Sequence, residues 1–396
     1  MSLKILQLCL RVPFAENDGG TKAMMAMANG LIECGHEVHM LALNTSKHYV
    51  PEQTIDKELK AKFNYKAVDV ENDISIGKAL ANLFSSKPFH VSRFYHHEVN
   101  VALNKLLFEV DFDLVLLESL FTTPYLPTIK KANVPAVLRS HNVEHHLWQR
   151  VTKNTRNPLK KAYLQLQTNR LKKYEKERSA ACHSIAAISP VDADIYKSWG
   201  INKPIGHVPY SVQTDDDFSP KIDIAEPIKM GFIGSMDWMP NQEGVRWFVK
   251  EIWPKLTVQF PTLECHIAGR AMPKDLVAKS AGNLMLSGYV NDVQAFTEQQ
   301  TIMLAPLLAG GGVRIKVLEA MSMGKPVLAT PIGYEGINAQ NGQQIMAFKT
   351  ADDVANHLVK AQQNAQYLAN IGKGGFQLVK DTYNAKTANQ ELLKLL

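Results

Sequence analysis

Short apolar runs alternate with longer amphipathic stretches along most of the chain. Lys4 to Leu10 is apolar and strand-like, a turn-rich loop ends at Gly19-Gly20, and an Ala- and Met-rich run from Thr21 to about Cys34 is helical in character. Gly35 suits the position just past a helix end, and Glu37 to Leu43 reads as the next strand, completing a β-α-β unit. Apolar runs at Leu114–Leu117, Ala136–Leu138 and Ser184–Ile188 predict further parallel strands, separated by enough chain for helical crossovers. The first half is therefore a doubly wound sheet.

Between Pro204 and Pro227 the alternation breaks into Pro, Ser and Asp residues, including Thr214-Asp215-Asp216-Asp217, which neither helix nor strand favours. It resumes with a strand at Ile228–Ile233, a helix from Gly244 toward Lys255, and strands at Leu263–Ala268, Ile302–Leu304 and Val327–Ala329. The expected division is an N-terminal Rossmann-like domain over 1–205, a linker over 206–226, a second Rossmann-like domain over 227–376, and a helix over 377–396 that crosses back to the first.

A length of 396 residues suits two such domains better than one core. With 45% hydrophobic and 21% charged residues and no low-complexity tract, the chain is globular rather than disordered. Its four cysteines, Cys9, Cys34, Cys182 and Cys265, lie far apart without metal-ligand spacing, as expected of reduced packing residues in a cytoplasmic protein. The first apolar run is too short for a signal sequence or a membrane span. A net charge of +6 favours anionic ligands or membrane surfaces in general, or simply solubility, and nothing in the chain resembles a nucleic-acid-binding motif. The segment Leu159 to Arg178 gathers Lys160, Lys161, Arg170, Lys172, Lys173, Lys176 and Arg178 around a helically spaced apolar stripe. Such a pattern either lies on the inner face of an anionic membrane or, more commonly, packs one stripe on its own sheet.

The chemistry concentrates in Gly310 to Gly333, GGGVRIKVLEAMSMGKPVLATPIG. Glycines leading into a helix let amide N–H groups and the positive helix end face an anion, so a phosphate belongs there. Glu319 sits among apolar neighbours in that helix and needs a partner, solvent or a ligand; ribose hydroxyls would satisfy it.

This segment resembles the donor-binding signature of retaining glycosyltransferases of the GT-B fold, in the large family 4 (glycosyl transferases group 1). Gly19-Gly20, Arg139-Ser140-His141-Asn142-Val143-Glu144 and Gly231-Phe232-Ile233-Gly234-Ser235-Met236 extend the resemblance over nearly the whole chain. It implies two Rossmann-like domains facing a cleft, a nucleotide-sugar donor of UDP or GDP type, a saccharide or lipid-linked acceptor, hexosyl transfer with retention in polysaccharide biosynthesis, and no cofactor. Gly19, Gly20, Gly234, Gly311 and Gly312 would let backbone approach the donor, Val317, Leu318 and Glu319 would belong to its binding helix with Glu319 on the ribose, and His141 would contact the transferred sugar.

The chain departs from the family pattern in two places. The earlier of two acidic residues that often bracket the donor helix falls in Gly310-Gly311-Gly312, and Ser235 and Glu243 stand where an Arg and a Lys usually hold the diphosphate. Arg314 and Lys316 are the expected replacements for that cationic pair. No Asp-x-Asp follows a strand, since Asp215-Asp216-Asp217 falls in the expected linker, so leaving-group stabilisation without a metal is expected. An epimerase, a phosphorylase-like enzyme or a nucleotide-sugar-binding protein without turnover are the competing readings.

Overall fold

The computed structural model describes residues 2–396 except 16–17, 74, 215–226 and 365. The chain divides into two compact units, Met1–Ser211 with Ala385–Leu396, and Val212–Asn384.

The first unit is built on a parallel sheet of seven strands among the described residues, β1 (Lys4–Cys9), β2 (Glu37–Thr45), β3 (Lys66–Val70), β4 (Leu114–Glu118), β5 (Ala136–Ser140), β6 (Ser184–Ala187) and β7 (Ile205–His207), ordered β3-β2-β1-β4-β5-β6-β7. Successive side chains point to opposite faces. Leu6, Leu8, Leu41, Val115, Leu117 and Leu138 pack on one face, and Ile5, Met40, Leu114, Leu116, Val137 and Ala186 on the other. Both faces are covered, which is why these strands read as continuous apolar runs. The order reverses between β1 and β4, and ligands of such sheets bind beyond the carboxyl ends of strands at that reversal.

The second unit repeats the plan with β8 (Lys229–Ile233), β9 (Glu264–Ala268), β10 (Leu284–Leu286), β11 (Ile302–Ala305), β12 (Val327–Ala329) and β13 (Met346–Ala347), ordered β10-β9-β8-β11-β12-β13, so its reversal lies between β8 and β11. Both units are Rossmann-like, as the sequence predicts.

Several boundaries differ from expectation. The helix expected from Thr21 already begins at Gly19, because the Asp18 side chain caps it by accepting from the Gly20 and Thr21 amides. The helix expected from Gly244 starts at Met239 and runs to Trp247, continuing through a π-helical turn, Phe248–Ile252, to Gln259. Gly244 is inside it because a Cβ there would lie 2.2 Å from the Pro306 carbonyl oxygen. The chain has not left the first sheet where the linker was expected to begin, since β7 spans Ile205–His207 and the Val208 amide still donates to the Ala187 carbonyl at 2.8 Å. Asp215-Asp216-Asp217 lies outside the described residues. The last segment is broken in two: the Gln366–Thr382 helix stops before buried Tyr383, and the Ala385–Leu393 helix packs on the Gly19–Glu33 helix, with Ala385 against Gly30.

The basic segment is a helix, Pro158–Ala181. Of the expected stripe of Leu159, Tyr163, Leu166 and Tyr174 only Tyr174 is buried; the helix packs instead through Leu164, Leu171 and Tyr174, while Leu159, Leu166, Lys160, Lys161, Lys172, Lys173 and Lys176 are exposed. No described helix is long and apolar enough to cross a membrane.

Candidate active site

β4 and β5 lie side by side in the first sheet, and each brings a charged residue to its carboxyl end with no exposed side-chain surface, Glu118 and Arg139. Two buried charges are tolerable only when paired and hydrogen-bonded. Arg139 Nη1 donates to Glu118 Oε2 at 3.2 Å and to the Ala23 carbonyl at 3.1 Å, and Gln7 Nε2, from β1, donates to Glu118 Oε1 at 2.6 Å. His141, just past β5, places Nε2 2.6 Å from Glu118 Oε2 and keeps 15% of its side chain exposed. Burial alone would raise the Glu118 carboxyl; Arg139 beside it, with the His141 and Gln7 hydrogen bonds, reverses this and holds it below the ordinary glutamate value.

A carboxylate only accepts, so the short contact puts a proton on His141 Nε2 and leaves Nδ1 as the nitrogen available to a ligand. Arg139 Nη1 also approaches Nε2, at 3.5 Å, but that distance is too long to compete. Ser119, the next residue after Glu118, has φ +101°, a region that non-glycine residues rarely adopt. Its amide donates to the Leu117 and Arg139 carbonyls at 3.0 and 3.1 Å, which hold this turn at the strand end.

The loop bearing His141 is fixed from below. Glu175, on the basic helix, accepts the Glu144 and His145 amides at 2.8 and 3.0 Å and so caps the Glu144–Asn154 helix. Burial first, and the neighbouring Glu175 second, push the Glu144 carboxyl up to about 8, which makes it a neutral packing group at pH 7.

Gly19 and Gly20 form the first turn of the Gly19–Glu33 helix. Arg11 clamps the capping Asp18 through two contacts, Nη1 to Oδ2 at 2.6 Å and Nη2 to Oδ1 at 3.0 Å, and a Cβ on Gly20 would come within 2.9 Å of Arg11 Nη2. The helix N-terminus at which the sequence expects the donor is thus taken up by the Asp18 carboxylate in this structure.

In the second unit, Gly310 and Gly312 have φ +139° and +69°, conformations that glycine adopts readily. They lead into the Ile315–Ser322 helix, with Arg314 as its N-cap residue. Arg314 is buried, donates through Nη1 to the Gly311 carbonyl and lies over the Trp238 ring at 5.8 Å. Lys316 Nζ donates to Asn241 Oδ1 at 2.9 Å and sits 4.1 Å from the Phe232 ring centroid. Gly234 completes the group, because a Cβ there would meet Asn241 Nδ2 at 2.9 Å and Lys316 Nζ at 3.2 Å. Burial, and then repulsion from Arg314, lower the Lys316 pKa to about 7. These residues meet where the loops after β8 and β11 converge, at the second sheet's reversal.

Sequence comparison matches residues 17–216 to Glycosyltransferase Family 4 and residues 227–364 to Glycosyl transferases group 1. The chain belongs to glycosyltransferase family 4. An uncharacterized 44.6 kDa protein in the cps region of Klebsiella pneumoniae is 24% identical, the alignment covering 99% of each chain. Among solved structures, sucrose-phosphate synthase from Thermosynechococcus elongatus superposes with TM-score 0.71 at 13% identity over 99% of this chain and 98% of that one. Anabaena HepE in complex with UDP superposes with TM-score 0.64 at 13% identity over 99% of both. These likenesses establish the GT-B fold.

Within this glycosyltransferase the sequence-predicted residues fall into separate groups. Gly234, Gly311, Gly312, Arg314 and Lys316 are brought together in the second unit, and Glu319 lies one turn beyond Lys316, partly exposed. Val317 and Leu318 are packed in the core, 2% and 0% exposed, with their amides donating to the Arg314 carbonyl, and so anchor the helix start. His141, Gly19 and Gly20 belong to the first unit. Sequence reasoning missed Glu118, Gln7 and Asn241. It also missed Arg270, just past β9, which pairs with Asp237 at 3.3 Å and reaches Ser235 Oγ at 3.5 Å, adding a third cation beside the turn after β8.

Proposed function

We propose that the protein moves a hexosyl group from a UDP- or GDP-type sugar to a saccharide or lipid-linked acceptor, with retention of anomeric configuration and without a metal, in cytoplasmic polysaccharide biosynthesis. The observation that carries this reading is the gathering of Arg314 and Lys316 with Gly234 and the Gly310–Gly312 turn. In the reaction the bond between the anomeric carbon and the diphosphate oxygen breaks while an acceptor oxygen bonds to that carbon. Negative charge grows on the departing diphosphate, and two fixed cations beside amide-rich backbone stabilise it most where the charge is greatest. The complexes of HepE with UDP and UDP-glucose support a nucleoside diphosphate donor.

A thermal-shift screen tests the donor: a nucleoside diphosphate or its sugar should raise the melting temperature by binding the folded state. Glu319→Gln should weaken that ligand by about 1.5–3 kcal/mol, the range for a hydrogen bond to a charged group. A screen in which no nucleotide shifts the curve removes the proposal, and unchanged affinity in a stable Glu319→Gln protein removes Glu319 from the ribose site.

A lipid-linked acceptor would bring the protein to a membrane, and the exposed lysines and Leu159 of the Pro158–Ala181 helix supply a contact for the inner, anionic face. Vesicles containing anionic lipid should bind the protein at low salt and release it as salt rises. Equal indifference to anionic and neutral vesicles would leave that helix with a packing role alone.

A further inference from the structure

Two adjoining cavities of ≈430 and ≈370 Å³ open in the first unit and share Asn72, Asp73 and Arg93. The larger is lined by residues at or just past the carboxyl ends of β1, β2, β3 and β4, where α/β folds bind ligands. Its lining carries more cation than carboxylate: Lys47 and Arg93, with Arg11 that Asp18 already clamps, stand against the single carboxylate of Asp73.

Arg93 carries the argument. Its Nε is buried with no hydrogen-bond partner among the described residues, its guanidinium lies over the Phe94 ring at 4.8 Å, and its hydrogen bond is a long one, Nη1 to the Asn72 carbonyl at 3.5 Å. No described carboxylate lies within ion-pairing distance of it, Asp73 being held instead by Ser46 Oγ at 2.8 Å. Partial burial lowers its pKa. A half-buried guanidinium with no described carboxylate beside it favours a ligand anion, and it fits carboxylate or phosphate oxygens in pairs. Beside it, Phe94 and Phe121, ring centroids 5.3 Å apart, give the same cavity an apolar wall of the kind on which the C–H face of a sugar ring packs.

We propose that this cavity binds the acceptor, and that the acceptor carries an acidic group next to the sugar, as a hexuronate carboxylate or a sugar phosphate, held by Arg93 and Lys47. The proposal rests on the transferase reading above and adds the acceptor's chemical class.

The test uses the full chain in saturating UDP, so that the donor's own phosphate site is filled, and titrates D-glucuronate, glucose 1-phosphate and glucose by calorimetry. One of the anions should bind at least about tenfold more tightly than glucose, the factor one charge-assisted hydrogen bond supplies. Preference for glucuronate marks an acidic glycan, and preference for the phosphate marks a phosphate-linked acceptor. Arg93→Gln should abolish the preference, and Lys47→Gln, at an exposed position where folding is not at risk, should reduce it several-fold. Glucose binding as well as both anions, no binding by any of the three, or a preference intact in both variants overturns the proposal. Failure of UDP to bind while the anion preference persists counts against the donor reading and leaves this one standing.

Discussion

Glu118→Ala is expected to lower the unfolding free energy by about 3–5 kcal/mol, the loss seen when one partner of a buried ion pair is removed. Glu118 accepts from Gln7, Arg139 and His141, and without it the Arg139 guanidinium stays fully buried against one carbonyl, that of Ala23. The folded-state pKa of Glu118 lies below its ordinary value, so this stability is present at neutral pH and is lost as pH falls through the folded value. Replacing both charges, Glu118→Leu with Arg139→Leu, should restore much of the stability, because apolar pairs of similar volume often substitute for buried ion pairs without loss. Turnover should not return with it. His141 in that protein has lost the carboxylate that fixes its Nε2 proton and ring orientation, so kcat should stay low with KM little changed, as in His141→Ala. Denaturant melts and steady-state rates on the three variants separate the two effects. A Glu118→Ala protein as stable as wild type would show that the carboxylate does not hold the sheet centre, and a double variant with normal kcat that it does not orient the histidine.

Why this network escaped a reading of the sequence while the fold did not can be argued strand by strand. Central strands were legible because both faces are covered: every residue of β4, β5, β6, β11 and β12 is buried, so each carries a run of apolar residues, broken only by Glu118, Arg139, Ser140 and Ser184 at the strand ends. The strands that left no signal, β3, β7, β10 and β13, are the outer strands of the two sheets. With one neighbour and partial exposure, as in the pattern of β3, where only Val70 is buried, they need no apolar run. Glu118 was missed by the same logic, since a charged residue closing an apolar run looks like the point where burial stops. Only the partner strand reveals that Arg139 stands beside it. Arg314 and Lys316 were legible because glycines mark the turn before them, whereas Asn241, which holds Lys316, lies 75 residues earlier and follows no local pattern.

The two cations of the second unit should separate by both rate and pH. Arg314→Ala should lower kcat by about 10²–10³, the loss typical of removing one fixed donor to a developing charge, and Arg314→Lys should recover little, because an ammonium cannot grip two phosphate oxygens in a plane. Activity of the wild type should be indifferent to a chelator if these cations serve in place of a metal. Lys316 adds a pH signature. Its pKa of about 7 in the ligand-free protein, against the usual 10.5, means that above pH 7 the folded protein holds fewer protons than the unfolded chain, so stability should rise with pH over this range. A bound diphosphate favours the charged ammonium and raises that pKa, so binding at pH 8 should take up a proton, and affinity should fall by up to about tenfold per pH unit above 7. Calorimetric titration of UDP in buffers of different ionisation enthalpy measures the proton directly. Lys316→Met should abolish both the proton uptake and the opposing slopes. Binding that takes up no proton in the wild type would mean that Lys316 does not meet the diphosphate, while Arg314→Ala and Lys316→Met both turning over at the wild-type rate would leave the leaving group without the cations assigned to it.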